Sequence, residues 1–216
     1  FCLSRGLGDV YKRQPWWRSQ QYYDSGAWRG TWELDGGGVL MNQSIHFIDL
    51  LQWFMGPVKS VSAYTDTLVH RMQTEDVAVA VLRFANGALG TTAATTGAYP
   101  GVTTRVELFG DRGSAIIEND ALAYLHLARD DKEEVDSYGI QGQTQPPFAR
   151  KEQQTGAAQH ADALSAAGHA LQIADMIRAI REDGTPLVDG NEGRKPVEII
   201  LAVYESARTH KEVFLS

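Results

Sequence analysis

The sequence predicts an α+β fold, in which helices cover one face of an open, mostly antiparallel β-sheet. Three observations support this prediction. Short segments with β character follow one another between residues 58 and 128, turn sequences such as Asn86-Gly87 separate several of them, and helical spacing occurs only before and after this stretch. Short turns imply antiparallel neighbours, because a parallel crossover needs roughly a dozen residues.

The first part of the chain contributes little to this prediction. Residues 1–14 (FCLSRGLGDVYKRQ) show no periodicity and change abruptly in character at Pro15, so we interpret them as a non-native leader and assign them no element. The substrate-binding and oligomerisation domain argued for below is then expected to span residues 15–216. Residues 15–38 hold several aromatic rings among Gly, Ser and Asp without regular alternation, which predicts a loop with exposed or half-exposed rings.

The elements of this domain follow from residue spacing and turn signals. Helical spacing begins at Val39, after three glycines, and ends at Gly56-Pro57, which predicts a helix over residues 39–55. Strands are predicted over residues 58–67, 76–84, 88–96, 105–109, 114–118 and 122–128. A polar surface excursion is expected over residues 129–158, then helices over residues 159–182 and 197–207 and a last strand over residues 212–215.

Composition and charge exclude several classes of protein. The formal net charge of −7 and the lack of a long run of Lys or Arg argue against nucleic-acid binding. No apolar run reaches about 18 residues, so no membrane span is predicted. The chain has one cysteine, Cys2, which cannot form an internal disulfide, and a cytoplasmic protein is therefore the expectation.

The predicted sheet leaves one face without helices. If that face is apolar, a second subunit or another part of the protein has to cover it. We therefore expect a homo-oligomer that forms through the open sheet face.

One polar stripe on the predicted helix is a candidate functional site. Asn42, His46 and Asp49 lie at i, i+4 and i+7, so they share one side of a helix without Lys, Arg or Glu. Such a helix is expected to be buried on most sides, and polar groups inside it must be hydrogen-bonded or face a ligand. The same spacing fits the ordinary polar face of an amphipathic helix, and both interpretations stay open.

The three glycines at residues 36–38 favour a functional stripe, because they let another group approach the N–H donors of a helix N-terminus closely. A flexible turn is the alternative. A metal site is not expected, because the stripe has no second histidine and Asn42 is a poor zinc ligand. The other histidines form no HxH or HxxxH group, and most of them are expected on the surface. The GxG-like piece at residues 6–8 lacks a preceding strand, so no dinucleotide fold is predicted.

Much of the chain resembles the Gfo/Idh/MocA oxidoreductases and their glycine-rich active-site motif. The resemblance rests on WRGTW (28–32), DGGGVLMNQSIHFIDLLQW (35–53), ED (75–76), FANGA (84–88), YPG (99–101), GDRG (110–113), PLVDG (186–190) and AVYESA (202–207). It covers nearly the whole chain from Trp16. It implies the C-terminal domain of glucose-fructose oxidoreductase-like proteins, with a largely antiparallel sheet, and an N-terminal Rossmann domain that is missing from this sequence.

The resemblance also implies an activity, a cofactor and catalytic residues. It implies an oxidoreductase that oxidises a hydroxyl of a sugar or nucleotide-sugar, with NAD or NADP bound mainly by the missing domain, so that this fragment alone is inactive. His46 matches the histidine that exchanges a proton with the substrate hydroxyl, a role that suits an imidazole near neutral pH. Asn42 stands where many members carry Asp, and an amide can hold a hydroxyl but cannot exchange a proton.

The residues before the helix look closest to members that oxidise the 3-hydroxyl of UDP-N-acetyl-glucosaminuronate. On that resemblance the candidate substrate-binding residues are Arg18, Tyr23, Trp28, Arg29, Trp32 and Tyr99. Rings can stack on sugar or uracil faces, and guanidinium groups can hold a carboxylate or phosphate by paired hydrogen bonds. Core filling is the alternative for each tryptophan, and a turn residue for Tyr99. The alternative function is a non-catalytic module that binds a sugar or joins subunits.

Overall fold

The fold is seen in a computed structural model that describes residues 7–119, 121–127 and 167–215. The strands are β1 (Leu7–Pro15), β2 (Val58–Asp66), β3 (Val77–Phe84), β4 (Leu89–Thr95), β5 (Arg105–Gly110), β6 (Gly113–Glu118), β7 (Ala121–Leu127) and β8 (Val213–Phe214). The helices are α1 (Gln20–Asp24), α2 (Ile45–Met55), α3 (Ala167–Arg181) and α4 (Gly190–Thr209), and a π-helical turn over Leu40–Ser44 precedes α2.

The strands form an eight-stranded sheet in the order β7-β6-β5-β1-β4-β3-β2-β8. β1 is parallel to β4, and the other neighbouring pairs of this sheet are antiparallel. The prediction of an open, mostly antiparallel sheet is confirmed, and β2 to β7 begin and end within one or two residues of their predicted bounds. The predicted surface excursion over residues 129–158 and the start of the predicted helix over residues 159–182 lie outside the described residues.

The segment to which we assigned no element forms a central strand of the sheet. β1 lies between β4 and β5, and Val10, Lys12 and Gln14 point into the core. Leaving this segment out of the fold was wrong, because two of its three inward residues are polar and the apolar alternation that marks a strand is absent. The sheet therefore begins at Leu7 and not after residue 15.

The helices α2 and α4 cover one face of the sheet, as predicted. They contact each other, while α2 also contacts β1 and α4 contacts β2. The core between helices and sheet is apolar and includes Ile48, Leu51, Met55, Val61, Leu82, Phe84, Val106, Leu108, Ile199, Ile200 and Val203. The helix α4 begins earlier than predicted, because the Asp189 carboxylate accepts hydrogen bonds from the N–H groups of Asn191 and Glu192 and caps it. None of the described helices is long and apolar enough to cross a bilayer.

Candidate functional site

The candidate catalytic residues lie on an exposed helix face. The π-helical turn over Leu40–Ser44 carries Asn42, and α2 carries His46 and Asp49; all three side chains are exposed. The expectation that this helix is buried on most sides was wrong, because α2 packs against the sheet and α4 through one side only. Single π-helical turns inside helices often occur at functional sites, and this one directly precedes His46.

The two candidate side chains differ in their hydrogen bonding. The Asn42 side-chain amide donates to the carbonyl of Gly37, with 3.2 Å between Nδ2 and O. The His46 ring has no hydrogen-bond partner among the described residues. Both ring nitrogens of an exposed imidazole are therefore available to a ligand.

A buried carboxylate holds the N-terminus of this helix. Glu75 accepts hydrogen bonds from the backbone N–H groups of Gly38 (3.0 Å) and Leu40 (2.9 Å), and its own carbonyl accepts from the N–H of Val39 (2.9 Å). The Tyr204 hydroxyl donates to the same carboxylate at 2.9 Å. Burial raises the pKa of Glu75, and these hydrogen bonds oppose that shift. A carboxylate at this place satisfies N–H groups that a helix leaves unpaired and complements the helix dipole.

Two of the three glycines allow this close approach. A Cβ atom at Gly38 would lie 1.8 Å from the carbonyl oxygen of Glu75, and one at Gly37 would lie 2.3 Å from the Tyr204 hydroxyl. The predicted role of these glycines, close approach of another group to a helix N-terminus, is confirmed at these two positions. The third, Gly36, has a positive φ of 73° and no neighbour that would touch a Cβ atom.

The two candidate arginines stack between aromatic rings. The Arg18 guanidinium carbon lies 5.0 Å from the ring centre of Trp16 and 5.3 Å from that of Tyr22. The Arg29 carbon lies 4.2 Å from the ring centre of Tyr22 and 4.4 Å from that of Trp28. We call these five side chains the arginine–aromatic ladder. Cation–π contacts of this kind stabilise a guanidinium without neutralising its charge.

Neither arginine of the ladder forms an ion pair with a described carboxylate. Arg29 donates to the Tyr22 hydroxyl at 2.7 Å, and Arg18 donates to the carbonyl of Trp17 at 3.1 Å. The Nε atom of Arg18 is buried and has no hydrogen-bond partner in the part of the chain that the structure describes. In a chain with a net charge of −7, two half-buried guanidinium groups without carboxylate partners among the described residues have the chemistry to bind an anion.

The remaining candidates have different surroundings. Trp32 is half exposed, donates through Nε1 to the carbonyl of Gln73 and packs edge-on against Tyr204, so it adjoins the helix N-terminus. Tyr99 is 78% exposed and packs edge-on against Trp17. Tyr23 is not available to a substrate in this structure, because it is buried and its hydroxyl is 2.9 Å from the Thr96 hydroxyl.

A buried histidine–aspartate pair lies beside the ladder, and the sequence did not reveal it. His70 is 7% exposed, so it is an exception to the expectation that most of the other histidines lie on the surface. Its Nδ1 is 2.9 Å from the Asp76 carboxylate, and its Nε2 is 2.8 Å from the carbonyl of Arg18. Burial alone would raise the pKa of Asp76, but hydrogen bonds from three backbone N–H groups and from His70 outweigh it and lower that pKa. The one signal in the sequence was the acidic pair Glu75-Asp76.

We next consider whether the described side chains could bind a metal ion. Among residues 7–119, 121–127 and 167–215, no three His, Cys, Asp or Glu side chains are grouped so that they could hold an ion. The described chemistry is therefore that of a free imidazole, a neighbouring amide, and guanidinium groups stacked with exposed rings.

Known proteins resemble this chain in sequence and in fold. The model of the oxidoreductase family, C-terminal alpha/beta domain, matches residues 5–215. The WlbA dehydrogenase from Bordetella pertussis, solved in complex with NADH and UDP-GlcNAcA, is 31% identical with a TM-score of 0.76, over 98% of this chain and 55% of that chain. The WlbA dehydrogenase from Chromobacterium violaceum, with the same two ligands, is 33% identical with a TM-score of 0.73, over 97% and 55%.

A curated relative matches a shorter stretch. Myo-inositol 2-dehydrogenase from Thermotoga maritima is 34% identical over 88 residues, which is 38% of this chain and 26% of that protein. The chain thus spans about half the length of the solved structures that it matches.

Proposed function

The chain belongs to the oxidoreductase family that this C-terminal alpha/beta domain defines, the Gfo/Idh/MocA family, and on that basis we propose that it is the substrate-binding and catalytic half of an NAD(P)-dependent sugar dehydrogenase. The observation that carries the proposal is the unpartnered imidazole of His46 on an exposed helix face. An imidazole can accept a hydroxyl proton at neutral pH while the adjoining carbon loses hydride. On this proposal the chain is inactive without the part that binds the nucleotide.

The proposed substrate is a nucleotide-sugar that carries a carboxylate, of the kind named in the two WlbA complexes. The ladder supports an anionic substrate, because Arg18 and Arg29 keep their charge and have no described carboxylate partner. Guanidinium groups bind carboxylate and phosphate by paired hydrogen bonds. The half-exposed rings of Trp28 and Trp32 offer faces for a sugar or a base, and Tyr99 adds a further exposed ring.

The proposed cofactor is NAD or NADP, and the described residues fit it as one wall of a shared site. The exposed face with Asn42 and His46 can meet a nicotinamide, whereas the glycine-rich segment at residues 36–38 that opens this helix is contacted by Glu75 and Tyr204 and so does not cradle a pyrophosphate. We propose that the nucleotide is bound mainly by the other half of a complete protein. When bound, nicotinamide supplies the acceptor for the hydride that leaves the substrate carbon.

In this proposal, residues of this chain hold the substrate hydroxyl and accept its proton. The Asn42 amide can hold the reacting hydroxyl or a group beside it, since an amide both donates and accepts. His46 accepts the hydroxyl proton as the C–H bond breaks, the carbon–oxygen double bond forms, and the hydride goes to the cofactor. In the reverse direction the imidazolium returns the proton to the alkoxide.

Replacing His46 by alanine in the complete protein is expected to lower kcat by about 100-fold or more, because general acid–base catalysis typically contributes that much. The assay follows NADH at 340 nm with UDP-N-acetyl-glucosaminuronate and, for comparison, with UDP-N-acetyl-glucosamine, which keeps the charged diphosphate but lacks the sugar carboxylate. His169→Ala, at an exposed position of α3, is the matched control. Turnover near that of the wild type in the His46 variant would contradict the assignment, and equal use of both nucleotide-sugars would contradict a site for the sugar carboxylate.

We also propose that the protein forms homo-oligomers through the open sheet face. This face carries exposed apolar side chains at neighbouring strand positions, among them Val79, Val81 and Tyr64. Replacing Val81 by glutamate is expected to shift the protein towards monomer in analytical ultracentrifugation, because a charge buried at an interface without a partner is costly. Val188→Glu, at an exposed loop position away from the sheet, is the control. An unchanged oligomer in the Val81 variant would contradict the proposal.

A further inference from the structure

Two successive buried carboxylates precede β3 and point to different parts of the candidate site. Glu75 is 3% exposed and Asp76 is fully buried. Their backbone is fixed in the sheet, because the Asp76 N–H donates to the carbonyl of Asp66 and its carbonyl accepts from the N–H of Thr96. The dipeptide is thus rigid. We call the Glu75 carboxylate with its contacts the first arm, and the Asp76 carboxylate with its contacts the second arm. Neither carboxylate takes part in the proton transfer described above.

The first arm holds the helix that carries Asn42 and His46. The Glu75 carboxylate accepts from the N–H groups of Gly38 and Leu40 and from the Tyr204 hydroxyl. All three partners are donors, so both carboxylate oxygens are needed as acceptors. This arrangement fixes the start of the π-helical turn from which His46 projects.

The second arm holds the start of the arginine–aromatic ladder. The Asp76 carboxylate accepts from the N–H groups of residues 68–70 and lies against Nδ1 of His70. The other ring nitrogen, Nε2, donates to the carbonyl of Arg18, because a carbonyl can only accept. The His70 ring also packs against the Tyr23 ring at 4.7 Å. Asp76 therefore reaches the backbone of Arg18 through His70.

From this geometry we infer that Glu75-Asp76 is a two-way positioning element, in which Glu75 orients the proton-transfer helix and Asp76, through His70, orients the substrate-binding ladder. The inference rests on the proposed function and deepens it, because it assigns the chemical step and substrate affinity to separate arms. Glu75, Asp76 and His70 are positioning residues, since each acts through another group and none is proposed to touch the substrate.

Variants of the first arm are expected to change kcat and leave KM nearly unchanged. In the complete protein, Glu75→Gln places an amide NH2 against a backbone N–H donor and is expected to lower kcat about tenfold, the loss typical of a hydrogen bond to a charged group. Tyr204→Phe removes one of the three donors and keeps the carboxylate, so a smaller loss in kcat of roughly twofold to threefold is expected.

A variant of the second arm is expected to change KM and leave kcat nearly unchanged. His70→Phe keeps a ring between Tyr23 and Asp76 but removes both ring nitrogens and with them the link to Arg18, so KM for UDP-N-acetyl-glucosaminuronate is expected to rise about tenfold. The matched control is Thr67→Val, which removes a hydrogen bond of the same loop, from the Thr67 hydroxyl to the carbonyl of Thr74, without a link to Arg18. Both kinetic constants of this control are expected to stay within about twofold of the wild type.

Calorimetric titration of the same proteins with UDP-N-acetyl-glucosaminuronate separates this inference from the proposed function. Weaker binding in the His70 variant, with unchanged binding in the Glu75 and Tyr204 variants, supports the inference. It does so even if the wild type forms no NADH, because that failure would contradict only the proposed dehydrogenase activity. Parallel changes of kcat and KM in both arms, scaled to the loss of melting temperature, would overturn the inference. So would a His70 variant that binds like the wild type, or a wild type that does not bind this ligand.

Discussion

Replacing Gly38 by alanine is expected to lower the free energy of unfolding by at least about 3 kcal/mol or to prevent folding, because overpacking against a rigid neighbour leaves little room for relaxation. The added Cβ atom would lie 1.8 Å from the carbonyl oxygen of Glu75 and 2.8 Å from its carbonyl carbon. That backbone cannot move away without losing the hydrogen bonds that Gly38, Val39 and Leu40 donate to Glu75.

The neighbouring Gly36 supplies the control for this prediction. A Cβ atom there meets no heavy atom within 4 Å, and the only cost is the positive φ of 73°. Gly36→Ala is expected to cost roughly 1–2 kcal/mol, the strain of a left-handed backbone with a side chain. Urea denaturation of both variants measures the difference. Equal and small losses at the two positions would contradict the close packing of Glu75 on the helix N-terminus.

Replacing Lys12 by methionine is expected to raise the free energy of unfolding by about 4 kcal/mol at pH 7, since one unit of pKa shift corresponds to about 1.4 kcal/mol. The lysine is 1% exposed, and burial lowers its pKa from 10.5 to about 7. Its ammonium donates to the Gln14 side chain at 2.7 Å and lies 5.2 Å from the Phe47 ring centre, without a described carboxylate partner. After the replacement, Gln14 keeps its hydrogen bond from Ser44.

The advantage of this variant is expected to depend on pH. In the unfolded chain Lys12 binds its proton below about pH 10.5, whereas in the folded protein it binds that proton only below about pH 7. The penalty of the lysine is therefore absent above pH 10.5, grows as the pH falls, and is complete below pH 7. Unfolding free energies from pH 7 to 10 measure this trend, with Lys59→Met at an exposed position as the control. An advantage that stays constant with pH would contradict the assignment.

The sequence predicts those elements whose residue pattern reflects one buried face. In β3 the buried residues Ala78, Ala80, Leu82 and Phe84 alternate with more exposed ones, and its bounds were predicted within one residue. The strand β1 could not be predicted, because Lys12 and Gln14 occupy inward positions where the pattern needs apolar residues. Asn42 and His46 are four residues apart whether the turn is α-helical or π-helical, so the sequence pattern does not reveal the π-helical turn.

The arrangement of the candidate residues could be predicted only where they lie close together in the sequence. Asn42, His46 and the glycines share one segment, and their arrangement follows from helix geometry. The carboxylate of Glu75 that holds this helix is contacted by Tyr204, which is 129 residues away in the sequence. The buried ring of His70 contacts the carbonyl of Arg18, which is 52 residues away. The order of the strands in the sheet brings such pairs together, and local residue spacing does not predict that order.

The central claim is that this domain presents a sugar hydroxyl to His46 while the adjoining carbon gives its hydride to NAD or NADP. The most direct test supplies the complete protein with UDP-N-acetyl-glucosaminuronate deuterated at C3 and measures the mass of the reduced nucleotide. We predict one deuterium in that nucleotide, and a rate lower by about 100-fold or more in the His46→Ala protein. A reduced nucleotide without deuterium, or a wild-type rate in that variant, would contradict the claim.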